Sequence, residues 1–217
     1  MSSRTEKDAI GEVTLSGEAL YGIHALRAAA NFPDATRFHV EWYRAMGLVK
    51  KACYLTAEEY FRAVSAKYGR IPGKEEGYPG TRFAHLSHAA GEVAEGEHFG
   101  SFIVPAVSGG AGTSINMNVN EIVANVALLN MGEAPGRYDL IDPIEDANVF
   151  QSTNDVVPTA LRVAAMFLLQ DLEASINALR FVVEQLETSH QNDLRVAYTQ
   201  MQEAVSGSFG KLFSTYS

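Results

Sequence analysis

The 217-residue sequence predicts a mainly α-helical protein. Apolar residues recur every three or four positions in three long stretches, which is the period of one helix face. The glycines and prolines cluster between those stretches rather than within them. No strand-like alternation of comparable length competes with this pattern.

The elements follow in order. Residues 1–37 read as a loop-rich start with turns around Gly11, Gly17 and Pro33. Phe38 to Lys67 reads as a helix whose stripe is Val40, Tyr43, Met46, Val49, Cys53, Ala57, Tyr60 and Val64. Gly69, Pro72, Gly73, Gly77, Pro79 and Gly80 then mark a surface loop or insertion. A second helix is expected over Arg82–Glu95, a short apolar run over Phe102–Val107, and a third helix from Ser114 to Met131. Gly132–Asn148 reads as another loop. Beyond it, Asp155 is a good N-cap and Pro158 suits a first turn. Leu161, Ala165, Leu168, Leu172, Ile176, Leu179, Val183 and Leu186 carry the stripe of a helix of roughly 30 residues, about 45–50 Å at 1.5 Å each. Helices of that length usually lie in bundles or oligomer cores, and Leu169, Phe181 and Val182 lie off the main stripe, so oligomerisation is expected. The chain resumes at Arg195–Val205, and Ser206–Ser217 trails off.

Composition narrows the function. The formal net charge of -9 argues against an electrostatic nucleic-acid binder, which needs clustered Lys and Arg. Cys53 is the single cysteine, so no disulfide forms within the chain and no cysteine metal spacing exists. Met1–Val13 is polar, without a signal-peptide apolar region, and no window reaches the ~18 apolar residues of a membrane span. A soluble, reducing, cytoplasmic setting is the expectation.

Three clusters carry candidate chemistry. Gly109-Gly110-Ala111-Gly112-Thr113-Ser114 runs into a helix start, where glycines permit close backbone approach and free N–H groups favour an anion. It suits a carboxylate or phosphate, or is simply a glycine turn with a cap. Gln151-Ser152-Thr153-Asn154-Asp155 offers two hydroxyls and an amide at another helix start, as an anion pocket or a capping segment. Asn116, Asn118 and Asn120, with Glu121, are poor helix formers and imply a hydrogen-bonded network, structural or ligand-contacting. Among the histidines, His85 and His88 could share a face, but no third ligand has metal spacing, so a solvated or core pair is expected. Neither a Gly-x-Ser-x-Gly elbow nor a dinucleotide glycine fingerprint is present.

In combination these strings resemble the aspartase/fumarase superfamily of lyases, and aspartases in particular. GGAGTSINMNVNEIVAN (109–125) looks like the first family signature, and QSTNDVVPTA (151–160) the second. YGIHALR (21–27), followed by Asn31-Phe32, is similar to the N-terminal aspartase string, and YTQMQEAV (198–205) to a later Thr-Gln/His motif. His24 with Leu26-Arg27, Ala111, Thr153 and Gln200 lean towards aspartase over fumarase.

The resemblance implies a fold: the N-terminal helical domain of the fumarase/aspartase fold over residues 1–150, then the first long helix of the central bundle over 151–217. It also implies a reaction, reversible deamination of L-aspartate to fumarate and ammonia. Removing the C3 proton places extra charge on the adjacent carboxylate, so donors must converge there. By resemblance Thr113, Ser114, Ser152 and Thr153 supply donors, Asn154 holds the amino group, and Thr199 and Gln200 complete the pocket.

The family's general base is a serine on a Gly-Ser loop, and that string is absent from these residues, so no catalytic residue is assigned. Ala197-Tyr198 stands where the family usually has Gly-Arg, Ser206 replaces the usual proline, and Asp142–Asp146 has lost the Pro-Asn-Asp pattern. The implied partners are a small dicarboxylate (L-aspartate or fumarate) and a homo-oligomer, typically a tetramer, or a C-terminal lyase half. No metal site, nucleic acid or membrane is expected, nor a cofactor, with divalent-cation activation left open. The alternatives are a fumarate hydratase-like lyase, or a non-catalytic truncated homologue acting as an interaction protein.

Overall fold

The computed structural model describes residues 3–69 and 80–217. It is mainly helical, as the periodicity predicts, and divides into two compact units, Met1–Ala165 and Met166–Ser217. The division falls inside a long helix, whereas the sequence boundary at 150/151 is drawn just before that helix begins.

The first unit opens on an antiparallel hairpin, β1 (Ser3–Lys7) and β2 (Glu12–Ser16), paired from Ser3↔Ser16 to Lys7↔Glu12. Helix α1 (Ile23–Asn31) follows. Both correct the loop-rich reading of residues 1–37. The hairpin lacks an apolar alternation because Arg4 and Glu6, on its covered face, bond to each other at 2.8 Å.

Helix α2 (Val40–Tyr68) is capped by His39 Nδ1, which accepts from Glu41 N at 3.2 Å, and ends on left-handed Gly69. Its buried face is Tyr43, Met46, Lys50, Tyr54, Ala57 and Phe61. Tyr43, Met46 and Ala57 belong to the expected stripe, but at three positions burial falls one residue later: Tyr60 is exposed, and Val49 and Cys53 are only half-buried. The difference is physical. Lys50 and Tyr54 bury polar atoms, so hydropathy alone selects the neighbouring face.

Helix α3 (Gly80–Ala94) packs on α2 through Phe83, Leu86, Ala89, Ala90 and Val93. The two backbones meet at Gly47, where a Cβ would stand 2.4 Å from Ala94 N. Most of the expected loop after Gly69 falls on residues 70–79, outside the described residues. A short 3-10 turn, Phe99–Ser101, lies between the second expected helix and the apolar run that starts at Phe102.

Helix α4 (Thr113–Asn130) is buried along most of its length, from Ile115 to Leu128, and forms the centre of this unit. A helix covered on nearly all sides must satisfy its polar side chains internally. It does: among the described residues no buried side-chain N or O atom is without a partner. Phe38, Trp42, Tyr43, Phe99 and Phe102 close one end of the core, with ring centroids 4.4–6.3 Å apart.

Helix α5 (Thr153–Ser189) has 37 residues, about 55 Å at 1.5 Å per residue. It is longer than the sequence suggests. Pro158 is its sixth residue, not part of the first turn; it removes the N–H that would reach the Asn154 carbonyl. Within the first unit α5 buries Val156, Ala160 and Ala164.

In the second unit the rest of α5 buries no side chain, and Leu169, Leu172, Ile176, Leu179 and Phe181 are all at least half exposed. This unit also holds the hairpin β3 (Leu194–Thr199) and β4 (Gln202–Ser208), then α6 (Phe209–Phe213). The trailing end expected after Ser206 is thus the end of a strand and a capped helical turn. Ser208 Oγ accepts from Lys211 N at 3.1 Å.

Candidate functional site

The glycine loop turns twice through left-handed conformations, Gly110 at φ +75° and Gly112 at φ +82°, before α4 begins at Thr113. Its N-cap residue is Gly112, and no side chain caps α4. Thr113 is exposed and Ser114 half-buried. Both line a cavity of about 640 Å³ with Asp8, His24, Arg27, Asn31, Phe32 and other residues of the first unit.

The opposite wall of that cavity is set by α1. Its N-terminus is held by carboxylates from elsewhere in the chain. Glu121, fully buried on α4, accepts from Gly22 N at 2.8 Å, His24 N at 2.9 Å and Ala25 N at 3.1 Å. Glu6 accepts from Ile23 N at 2.7 Å and from the Tyr138 hydroxyl at 3.1 Å. These carboxylates satisfy N–H groups that a helix start leaves unpaired.

Glu121 also bonds His24 Nδ1 at 3.1 Å, and that hydrogen bond raises the imidazole above its ordinary pKa against a smaller opposing effect of burial. Arg27 is not a free cation: its guanidinium grips Asp8 at 2.6 and 2.9 Å, and this bond is the main reason the Asp8 carboxyl sits below its usual range.

Ser152 precedes α5 and caps it. Its hydroxyl accepts from Asn154 N at 3.2 Å, and its carbonyl accepts from Asp155 N and Val156 N at 3.0 Å each. The capping reading of this segment therefore has direct support. The cap leaves the Ser152 hydroxyl proton available as a donor. Thr153 is half-buried and Asn154 exposed. Among the described residues no hydrogen bond engages the hydroxyls of Thr113, Ser114 or Thr153.

Two contacts bring the glycine loop and the Ser152 segment together. A Cβ on Gly112 would lie 2.9 Å from Val157 Cγ2, so only glycine lets the loop rest on the first turns of α5. Lys50 bridges the same two segments, donating to Asn116 and Asn120 on α4 and to Gln151 beside Ser152. Ser152, Thr153 and Asn154 do not line the Thr113 cavity. A separate apolar cavity of about 660 Å³, lined by Val49, Cys53, Tyr60, Phe150, Val156 and others, lies beside the start of α5.

The three asparagines are hydrogen-bonded within the chain. Asn118 Oδ1 accepts from Ile103 N and Val104 N at 2.8 and 3.2 Å, and Asn116 and Asn120 belong to the Lys50 network. Thr199 and Gln200 lie in the second unit, both exposed. Thr199 ends β3, and Gln200 (φ 49°) and Met201 (φ 63°) form the hairpin turn.

His88 pairs with Glu92 at 3.2 Å. Among the described residues the group able to hold a metal ion is Glu92, Glu97 and His98, in which His98 already bonds Glu92 at 2.8 Å. Sequence reasoning missed Lys50 and Glu6. A lysine spaced four residues after Met46 and seven after Tyr43, inside an apolar face, was the available signal.

The helical fold and the matches to known proteins define a class: the chain belongs to the aspartase/fumarase superfamily of lyases. The profile of the family described as Lyase matches residues 11–217. Aspartate ammonia-lyase of Bacillus subtilis (strain 168) is 36% identical over 215 residues, 99% of this chain and 42% of the relative. Aspartate ammonia-lyase of Escherichia coli (strain K12) is 34% identical over 218 residues, 99% of this chain and 42% of the relative.

Among solved structures, fumarate lyase:delta crystallin from Brucella melitensis in native form matches with a TM-score of 0.83 and 32% identity, over 99% of this chain and 47% of that one. Recombinant class II fumarase from Schistosoma mansoni matches with a TM-score of 0.81 and 27% identity, over 99% and 43%. The chain thus spans less than half the length of these relatives. Among the described residues no helix is long and apolar enough to cross a membrane.

Proposed function

We propose that this chain supplies part of the substrate site of an aspartase-type carbon–nitrogen lyase, which interconverts L-aspartate with fumarate and ammonia. The observation that carries the reading is the pair of helix starts, Thr113–Ser114 and Ser152–Thr153, tied together by the Gly112–Val157 contact and the Lys50 bridge. Hydroxyl donors at helix starts suit a substrate carboxylate whose charge grows as the C3 proton leaves. Asn154 is assigned to the amino group. Thr199 and Gln200 keep a substrate-binding assignment by resemblance alone. The 34–36% identity to aspartate ammonia-lyases supports the aspartase-type reading.

The proton-abstracting base is assigned to a segment outside these 217 residues, in a C-terminal lyase half. No cofactor is assigned. The exposed apolar face of α5 is assigned to an oligomer interface, since so large an apolar surface is normally covered, and a homotetramer is the expected assembly. A cytoplasmic location goes with this metabolic reading.

The test is absorbance at the fumarate band. The chain is mixed with L-aspartate or L-malate, with and without a C-terminal lyase half shown to assemble with it. Fumarate formed from aspartate only on mixing supports the reading. Turnover of malate instead makes the site fumarase-like. Silence from an assembled mixture overturns it.

A further inference from the structure

Lys50 is fully buried on α2, and among the described residues it makes no ion pair. A buried ammonium without a counter-ion is costly unless every proton is bonded. Here each is: Nζ donates to Asn116 Oδ1 at 2.9 Å, Asn120 Oδ1 at 2.5 Å and Gln151 Oε1 at 2.8 Å.

The amides have no freedom to turn round. Asn116 Nδ2 and Asn120 Nδ2 both donate to Asn148 Oδ1, at 3.0 and 3.2 Å. Gln151 Nε2 donates to the Ala147 carbonyl at 3.1 Å, and Asn148 Nδ2 to the Gln151 carbonyl at 3.1 Å. Three carbonyl oxygens must therefore point at residue 50, and only a three-donor group answers all of them. A core position that merely needed filling would be served better by an apolar side chain and apolar neighbours.

Asn116 lies two residues beyond Ser114, and Gln151 immediately precedes Ser152. We propose that Lys50 is a positioning residue: it clamps the start of α4 to the segment leading into α5 and so sets the spacing of Thr113–Ser114 from Ser152–Thr153. For its ligand this rests on the dicarboxylate reading above.

Burial pushes the amine down to about 7. The titratable groups around it are Cys53 on α2, whose own thiol is raised by burial, Tyr54 on α2, whose hydroxyl is raised by burial and donates to the Ala147 carbonyl at 2.7 Å, and Asp155 on α5, which acts on Cys53. Residues 147–151 and α4 present neutral amides to it. Below its pKa the ammonium offers three donors. Above it the neutral amine offers two, and one amide oxygen loses its partner.

The experiment uses the full chain, isotope-labelled, by NMR, with wild type compared with Lys50→Met and succinate as the probe. In the variant, exchange of the hydrogen-bonded amides of Asn116, Gln151, Asn154 and Asp155 is expected to quicken at least tenfold, while the α2–α3 contact at Gly47 and Ala90 keeps its protection. Succinate affinity is expected to fall at least tenfold. Unchanged exchange at both helix starts, or equal loss throughout residues 3–165, overturns the clamp. If wild type, assembled with a C-terminal lyase half, binds no succinate, the functional reading fails and the exchange comparison still decides the clamp. If Lys50→Met does not fold, the wild-type titration decides: the Asn116 and Gln151–Thr153 amides must shift with the Lys50 midpoint, and their failure to do so overturns the proposal.

Discussion

Val157 Cγ2 lies 2.9 Å from where a Cβ on Gly112 would stand, and Gly112 has a φ of +82°. The loop before α4 therefore rests on α5 only because residue 112 has no side chain. Gly112→Ala combines a left-handed backbone with a clash, and each costs about 1–3 kcal/mol. Gly110→Ala meets only the backbone cost, since nothing lies within 4 Å of its Cβ. Urea unfolding is expected to rank Gly112→Ala clearly below Gly110→Ala. Equal midpoints would show that the contact contributes nothing.

Glu121 holds the start of α1 through three backbone N–H groups and His24. Glu121→Gln turns one acceptor oxygen into a donor and removes the charge, so a loss of about 2–4 kcal/mol is expected from hydrogen bonds to a buried charged group. Amide exchange at Gly22–Ala25 is expected to accelerate first. Retained protection there would mean that Glu6 alone suffices.

His24 gives a pH signature. Its pKa is raised in the folded chain, chiefly by the Glu121 hydrogen bond. Protonation is thus favoured by folding. Its contribution to stability is full below the unfolded value near 6.5 and is lost as pH rises through the folded value. Wild type minus His24→Gln, compared by denaturant melts across this range, is expected to shrink with rising pH. A difference that grows with pH contradicts the pairing.

Thr113→Val separates ligand binding from folding. No described hydrogen bond engages that hydroxyl, and the residue is exposed. Stability is therefore expected to stay within about 0.5 kcal/mol, as for surface changes generally. In the assembled lyase kcat is expected to drop by about 10²–10³ if the hydroxyl serves the developing charge. Ser152→Ala is expected to lose activity and also about 1 kcal/mol of helix capping. Full activity in Thr113→Val would remove it from the site.

Met201 stands at φ 63° in the β3–β4 turn and is almost wholly exposed. Met201→Gly is expected to relieve about 1 kcal/mol of left-handed strain. Slower exchange of the β3–β4 amides would register it, and faster exchange would show that the methionine side chain stabilises the turn.

Much of the helical architecture was legible. Helices α3, α4 and α5 fall close to their expected places because their apolar spacing and glycine boundaries are local properties of the chain. The N-terminal hairpin was not legible, because Arg4 and Glu6 cover its inner face with charges that pair only after folding. Part of the buried face of α2 was not legible for the same reason: Lys50 and Tyr54 look solvent-facing until Asn116, Asn120, Gln151 and the Ala147 carbonyl, which lie 66 to 101 positions away, receive them.

The sequence by itself determined the family signatures, the helix periods and the hydroxyl-bearing helix starts, since each is written in neighbouring residues. Only the tertiary structure decided what joins them. Ser152 is a cap with its proton still free to donate, Arg27 is spent on Asp8, Glu121 serves α1 rather than a ligand, and Lys50 links two segments far apart in the chain. The physical reason is that a buried polar group acquires its role from whichever partners desolvate it, and those partners are chosen by packing rather than by position along the chain.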